Sequence, residues 1–391
     1  MAEMAGLETA PNFRSHKVLV DILYKCLGLK ILRVTDHGAP STAKPVLMEL
    51  RTLSPWVEKL LEHKRYSKLR SAYTMRWLKI LGKEPRAYFA EYRQIGTDTG
   101  RLSGDFQQVP RVVEGEPNIR NAVAAPPGMT LLELDYDQIE LRFIAWRARE
   151  ETLLRLYREG ADVHAFSGRM LFGIHEQEGI LNPAVRRTGK TTNFGLSYEA
   201  GSEKLAEIML LSLTPEDIAH VIRLLRVATL HEAAAQLHWR WHSTFPGVRR
   251  WHAEEKAQIA RRGYALAPHG RIKHLPFLRS KDPKERAPAF RDGINHTIQS
   301  PASDLCLLAA TMAAPTMYGD LGAVAGPWPS HDSLLWLIRG DVRPAGAYLR
   351  QVMEQDAVRR FEDLFGLEID LPITVGLKAG IAWGSLDHLT T

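Results

Sequence analysis

Residues 131–142 read LLELDYDQIELR, and the change of rhythm inside them decides how the chain is built. From Met129 to Leu134 the text MTLLEL is a short, nearly continuous apolar run, the pattern of a buried strand. From Gln138 onward helix-formers follow without a glycine or proline. Asp135 therefore stands at the C-terminal end of a strand, where the chain switches to helix. Such a carboxylate is either an ordinary turn aspartate or one half of a site, and the rest of the sequence has to decide.

Upstream the text is helical and basic. VLVDILYKCLGLKIL (18–32) has helical apolar spacing that ends at Gly28, and residues 41–82 predict two amphipathic helices broken near Ser54–Pro55. Segments punctuated by glycine and proline, TDTGRLSGDFQQVPR (97–111) and EPNIRNAVAAPPG (116–128), lead into the strand. Downstream, residues 141–262 follow a helical pattern. One helix there is announced by Thr214 as cap, Pro215 at the first helical position and Asp217 as capping carboxylate. GYALAPHGRIKHLP (263–276) predicts two strands and a turn, INHTIQSPASDLCLLAATMAA (294–314) a helix, and SHDSLLWLI (330–338) a strand after a turn.

Composition bounds the class. The chain has 391 residues, 45% hydrophobic and 25% charged, enough for a large globular core in two or three lobes. No run of 18 apolar residues occurs, and the N-terminus lacks a signal-peptide layout. Neither membrane insertion nor secretion is indicated, and a cytoplasmic setting is expected. Cys26 and Cys306 are the only cysteines, too few for a disulfide framework or a cysteine-based zinc site. The net charge of +6 suits a surface that meets polyanions.

Two motifs mislead. RRTGKTTNFGLSY (186–198) contains GKT, but a phosphate-binding P-loop needs a glycine five residues before Gly189, and that position is Ala184. HEAAAQLH (231–238) begins like a zincin helix, yet residue 235, the required second ligand, is alanine. His238 and His242 keep helical ligand spacing and read better as part of an exposed His/Trp-rich helix face.

Taken as a helix, residues 186–198 place Arg186, Lys190, Phe194 and Tyr198 at steps of four, drifting only about 40° per step, so they share one face. Two cations one turn apart can clamp a triphosphate, and an aromatic ring one turn further can lie against sugar and base. The competing reading is an ordinary helix with solvated cations and core aromatics. Gly189 and Gly195 each cost about 1 kcal/mol of helix propensity relative to alanine, so something has to approach this helix closely. Phosphoryl transfer from a triphosphate needs a hard divalent cation, which wants carboxylates. Asp135 and Asp332 are the candidates.

These three segments resemble a known family. LLELDYDQIELR is similar to motif A of the family-A DNA polymerases, the bacterial DNA polymerase I class; RRTGKTTNFGLSY resembles motif B and SHDS resembles motif C. TGRLSGDFQQVP, DVHAFSGRMLFG and LPITVGLKAGIAWGSL resemble further blocks of the family, so the likeness runs from about residue 16 onward. It implies an α+β right-hand polymerase with an antiparallel-sheet palm and mostly helical thumb and fingers. Residues 1–34 lead into a thumb at 35–98; the palm is 99–140 and 286–391, the fingers 141–285. Only a polymerase module is implied, so an exonuclease or a processivity factor would come from another chain.

The resemblance also implies roles. Asp135 and Asp332 hold two Mg²⁺ ions, helped by the Tyr136 backbone carbonyl. Arg186, Lys190 and His164 contact the triphosphate, and Lys190 protonates departing pyrophosphate. Gln138 orders this pocket, and Glu140 is the steric gate against a ribose 2′-hydroxyl. Phe194 and Tyr198 line the nascent base pair. Arg101, Arg291, Asn295 and Gln299, with His331 beside motif C, contact DNA near the primer end, where minor-groove acceptors occur in every base pair. The implied partners are a DNA primer-template and dNTPs, with the protein acting as a monomer and no membrane involved.

Several residues depart from the family pattern. Pro327 and Pro329 cannot donate to a ladder, so the strand before motif C has to be short, bulged or on an edge. Ser333 replaces the usual glutamate, Asp137 stands where serine is usual and offers compensating charge, and Glu199 stands where glycine commonly follows the motif B tyrosine. His-Asp-Ser is also the motif C spelling of single-subunit, phage-type RNA polymerases. A ribonucleotide-using enzyme and a primer-template binder without catalysis are therefore rival readings; Glu140 and DYDQIELR argue for a DNA polymerase.

Overall fold

A computed structural model of the chain describes residues 1, 11–82, 90–94, 96–110, 117–175 and 181–389. Residues 83–89 and 95 of the expected thumb lie outside that set. No helix among the described residues is long and apolar enough to cross a membrane.

The chain forms two compact units, Met1–Tyr88 with Ser202–Ala234, and Phe89–Gly201 with Ala235–Thr391. In the first, helices Lys44–Leu50 and Pro55–Leu69 are separated at Ser54–Pro55, as the sequence predicts. Leu19, Leu23, Leu47, Leu50, Trp56 and Leu60 form its core. Helices Ser202–Ser212 and Pro215–Leu225, from the stretch expected to be fingers, belong to this same unit. Arg33 ties them in, pairing with Glu49 at 2.8 Å and with Glu207. Thr214 caps the second of these helices by accepting from the Asp217 N–H at 3.2 Å.

The second unit is built on one antiparallel sheet. In chain order the strands are β1 (Tyr92–Arg93), β2 (Ser103–Gly104), β3 (Met129–Tyr136), β4 (Tyr264–Leu266), β5 (Ile272–His274), β6 (Ala323–Ser330), β7 (Ser333–Arg339), β8 (Val375–Gly380) and β9 (Asp387–His388). Five of them run in the order β6-β7-β3-β8-β9, while β1-β2 and β4-β5 are separate hairpins. β3 pairs along almost its whole length with β7 on one side and β8 on the other, which is why its text is so apolar: Leu131, Leu132 and Leu134 are all buried.

β6 answers the difficulty posed by its prolines. It is the edge strand of the sheet, and its pairing with β7 shifts register twice, between Ala323 and Ala325 and between Ala325 and Trp328. Edge position and bulges both spare Pro327 and Pro329 the ladder bonds they cannot make. Behind the sheet runs a 37-residue helix, Pro283–Gly319, whose buried Ile294, Ile298, Leu305 and Ala309 supply much of the core.

Candidate active site

The β3 ladder sets the first functional group. Asp135 pairs with Ser333 across β3 and β7, and the Tyr136 N–H donates to the Asp332 carbonyl at 3.1 Å. Two backbone registers thus carry Asp135, at a strand end, and Asp332, on the β6–β7 hairpin, to the same end of the sheet. His331 beside it adopts φ 60°, the left-handed geometry that lets a two-residue turn close. The charges of both aspartates reach one place. The Cys306 thiol beneath them is pushed up, first by burial and then by Asp332 and Asp135.

The opposing wall is the helix Pro183–Ser197, started by Asn182, whose side chain accepts from the Ala184 N–H at 2.9 Å. GKT therefore lies in mid-helix, and the P-loop is excluded by structure as well as by spelling. Arg186, Lys190 and Phe194 are exposed on one face and Tyr198 is half-buried at its end, which is the stripe predicted from the spacing. Arg186 pairs with Asp162 at 2.6 Å. Asp162 also caps the helix Val163–Phe172 through the His164 and Ala165 N–H groups.

Gly189 now has its reason. A Cβ there would lie 2.4 Å from the His164 carbonyl oxygen and 2.6 Å from the Gly168 nitrogen, and one on Gly168 would lie 2.6 Å from the Val185 carbonyl oxygen. The two helices interlock through facing glycines, so what comes close at Gly189 is another backbone.

One cavity of about 320 Å³ joins the walls. It is lined by Gln138, Glu140, His164, Phe194 and Tyr198, with Arg101, His331 and Asp332 also on its surface. Asp135, Arg186 and Lys190 are outside its lining. Glu140 sits in the middle, accepting from the Arg101 guanidinium and the Tyr198 hydroxyl. Burial holds the Arg101 pKa below its ordinary value and pushes the Tyr198 phenol up. Gln138, at φ 54°, accepts from the Tyr157 hydroxyl at 3.3 Å. Tyr157 is held in turn under the buried Arg142, whose guanidinium carbon lies 4.4 Å from the ring centre.

Arg291, Asn295 and Gln299 are half-buried along one face of the long helix. The Gln299 side chain lies near the Tyr198 hydroxyl and favours its ionised form, against the dominant effect of burial, and Asn295 Oδ1 is buried without a partner among the described residues. Arg291 instead lines a separate recess with Glu199, Lys256 and Arg286. Asp137 accepts from the Thr374 hydroxyl at 3.0 Å.

Reading by spelling overlooked three groups. Glu133 accepts from Ser333 Oγ at 3.3 Å and from Trp383 Nε1 at 3.0 Å, so the serine that replaces the family's glutamate meets a glutamate on the neighbouring strand. Asn193 and Trp241 are fully buried and bonded at 2.8 Å. The His/Trp-rich helix face expected to be exposed is therefore only partly so: Trp239 is exposed, but Trp241 is inside and His238 and His242 are half-buried. The available signal was amphipathic: Trp241 shares the buried face with Ala234 and Leu237.

A hairpin carboxylate, Asp332, lines one cavity with residues of the helix that carries the cationic face, and the α+β scaffold that holds them has the fold of a polymerase domain. A solved structure, the POL domain of Pol1 from M. smegmatis in complex with DNA primer-template and dNTP, matches with a TM-score of 0.79 at 24% identity, covering 98% of this chain and 63% of that one. The sequence profile of DNA polymerase family A matches residues 1–385, and the chain belongs to that family. Thermostable DNA polymerase I of Thermus caldophilus is 30% identical over 370 residues, 94% of this chain and 41% of that protein. DNA polymerase I of Pseudomonas aeruginosa is 31% identical over 388 residues, 97% of this chain and 39% of that protein. The chain thus spans about two fifths of the length of these curated relatives.

Proposed function

We propose that this protein is a DNA-directed DNA polymerase that extends a primer 3′-hydroxyl with dNTPs. The observation that carries the reading is the shared cavity in which Asp332, Glu140, His164 and Phe194 meet, beside Asp135 in register and the exposed Arg186 and Lys190. Family membership agrees with it.

The residues fit Mg²⁺. Among the described residues no three His, Cys, Asp or Glu side chains form a ready-made cage, and Mg²⁺ at such sites is typically held by one or two carboxylates plus substrate phosphates and water. Asp135, Asp332 and the Tyr136 carbonyl would hold two such ions, which when bound activate the 3′-hydroxyl and neutralise charge on the triphosphate. Arg186 and Lys190 bind the triphosphate from the exposed helix face, with His164 beside them, and Lys190 supplies the proton for pyrophosphate. Glu140, immobilised by two partners, blocks a 2′-hydroxyl; Phe194 and Tyr198 pack the nascent base pair, ordered from below by Gln138. Arg101, Arg291, Asn295, Gln299 and His331 contact DNA around the primer end. In this reading the thumb is 35–98, the palm 99–140 and 286–391, and the fingers 141–285, and the protein works as a monomer.

A primer-extension assay with Mg²⁺, run in parallel with dNTPs and rNTPs, tests this. Extension with dNTPs is expected. Preference for rNTPs would make it an RNA-polymerase-like enzyme, and tight primer-template binding without extension would make it a non-catalytic binder.

A further inference from the structure

Three buried side chains form a chain of hydrogen bonds that ends in the cavity. Trp241, Asn193 and His164 are 0%, 1% and 4% exposed. Trp241 Nε1 lies 2.8 Å from Asn193 Oδ1, and Asn193 Nδ2 lies 3.1 Å from His164 Nδ1. Their chemistry fixes every direction. An indole N–H can only donate, so the amide oxygen must face Trp241. The amide NH₂ then faces the imidazole, and an NH₂ group can only donate, so His164 Nδ1 must be the acceptor. A neutral imidazole that accepts at Nδ1 carries its proton on Nε2.

We infer that Trp241 and Asn193 are positioning residues that lock His164 as the neutral Nε2–H tautomer, presenting a donor to a phosphate oxygen in the cavity. Nδ1 is occupied, which leaves Nε2 as the nitrogen able to meet a ligand. The surroundings agree. Burial, reinforced by Lys190, lowers the His164 pKa to about 4, so the ring is neutral throughout the working range. The charged groups around it are Asp162 on its own helix and Arg186 and Lys190 on the facing helix. Across the cavity stand Arg101, Glu140, His331 and Asp332. A neutral ring near two cations avoids like-charge repulsion while still donating. The interlocked glycines hold the two helices close, so the Asn193–His164 bond is set by backbone approach as well as by side-chain choice.

The tautomer claim stands on the geometry alone; the phosphate claim rests on the polymerase reading. The two are tested separately. With ¹⁵N-histidine labelling, and H164Q to assign the signal, long-range ¹H–¹⁵N spectra at neutral pH should show a pyridine-like Nδ1 and a pyrrole-like Nε2–H. A protonated ring, or the Nδ1–H tautomer, overturns the inference whatever the protein's activity. W241F removes the donor that orients the amide and should give mixed tautomers; an unchanged spectrum would show that Trp241 does not set the direction.

N193D supplies a test that a merely structural role would not pass. The aspartate can only accept, so it demands a proton on Nδ1. At high pH the neutral ring then turns a lone pair toward the phosphate; at low pH the imidazolium donates from both nitrogens. The ratio of variant to wild-type KM for dNTP should stay near one at about pH 6 and rise about tenfold by about pH 8.5, the loss of one donor hydrogen bond. A ratio that is raised equally at every pH, or not at all, would sink the phosphate contact. If the wild-type protein shows no extension, the polymerase reading fails and the spectra still decide the tautomer.

Discussion

The two walls of the cavity are built by opposite means. The sheet wall is positioned almost wholly by backbone: Asp135 and Asp332 are aimed by ladder register and one Tyr136 N–H bond. The helix wall is positioned by side chains and by missing ones, through the glycine interlock and the buried Trp241–Asn193–His164 chain. A ladder tolerates most side chains facing away from it. A helix interlock tolerates almost none at its contact points. Chemistry on the sheet wall should therefore fail through the functional group itself, and on the helix wall through its supports.

The largest expected effect is on the sheet wall. Asp332→Asn and Asp135→Asn keep size and register but remove the charge that would hold a divalent cation, so each should lower kcat by at least about 10³-fold. Primer-template affinity, read by anisotropy, should be unchanged, because the backbone aims these groups. Near-wild-type extension in Asp332→Asn would mean that the edge hairpin does not carry a metal ligand.

Glu140→Ala comes next and tests the link between walls, since Glu140 holds Arg101 from one side and Tyr198 from the end of the helix wall. Steady-state incorporation should show discrimination against rNTPs falling by about 10²-fold, with dNTP extension retained. Unchanged discrimination would remove the gate assignment.

Gly189→Ala probes the helix wall alone. Helix propensity favours alanine by about 1 kcal/mol. The added Cβ would press on backbone atoms at 2.4 and 2.6 Å, which cannot rotate away, and overpacking of this kind costs about 1–3 kcal/mol or more. Packing should win, with a net loss of about 2 kcal/mol measured by denaturant unfolding. A stabilised variant would mean that the helices can part without cost.

This asymmetry also governs what could be read in advance. The sheet wall was legible because a buried strand leaves a long apolar run, and a carboxylate ending it is conspicuous. The stripe of Arg186, Lys190 and Phe194 was legible because period four survives in spelling. The supports were not. Nothing local to Asn193 says that its amide meets Trp241, 48 residues away. Glu133 is a single polar residue within the apolar run of β3, and only the β3–β7 register brings it to Ser333. The helices at 202–225 were legible as helices from their period, but nothing in the spelling shows that Glu207 pairs with Arg33 and that they pack in one compact unit with the N-terminal helices.

The smallest effect lies where the helix wall ends. Glu199 occupies φ 59°, a conformation that glycine adopts freely and other residues at a cost of about 1 kcal/mol. Its carboxylate pairs with Lys256, and the two side chains are 26% and 38% exposed, so solvent screening leaves the pair about 0–1 kcal/mol. Glu199→Gly thus exchanges strain relief for a lost ion pair, and stability should change by less than about 1 kcal/mol in either direction. Lys256→Met separates the contributions, since it removes the pair and keeps the strain; it should be the more destabilising of the two. If Glu199→Gly costs more than Lys256→Met, the carboxylate has a partner beyond Lys256, and Arg291, on the same recess, is the first candidate to mutate.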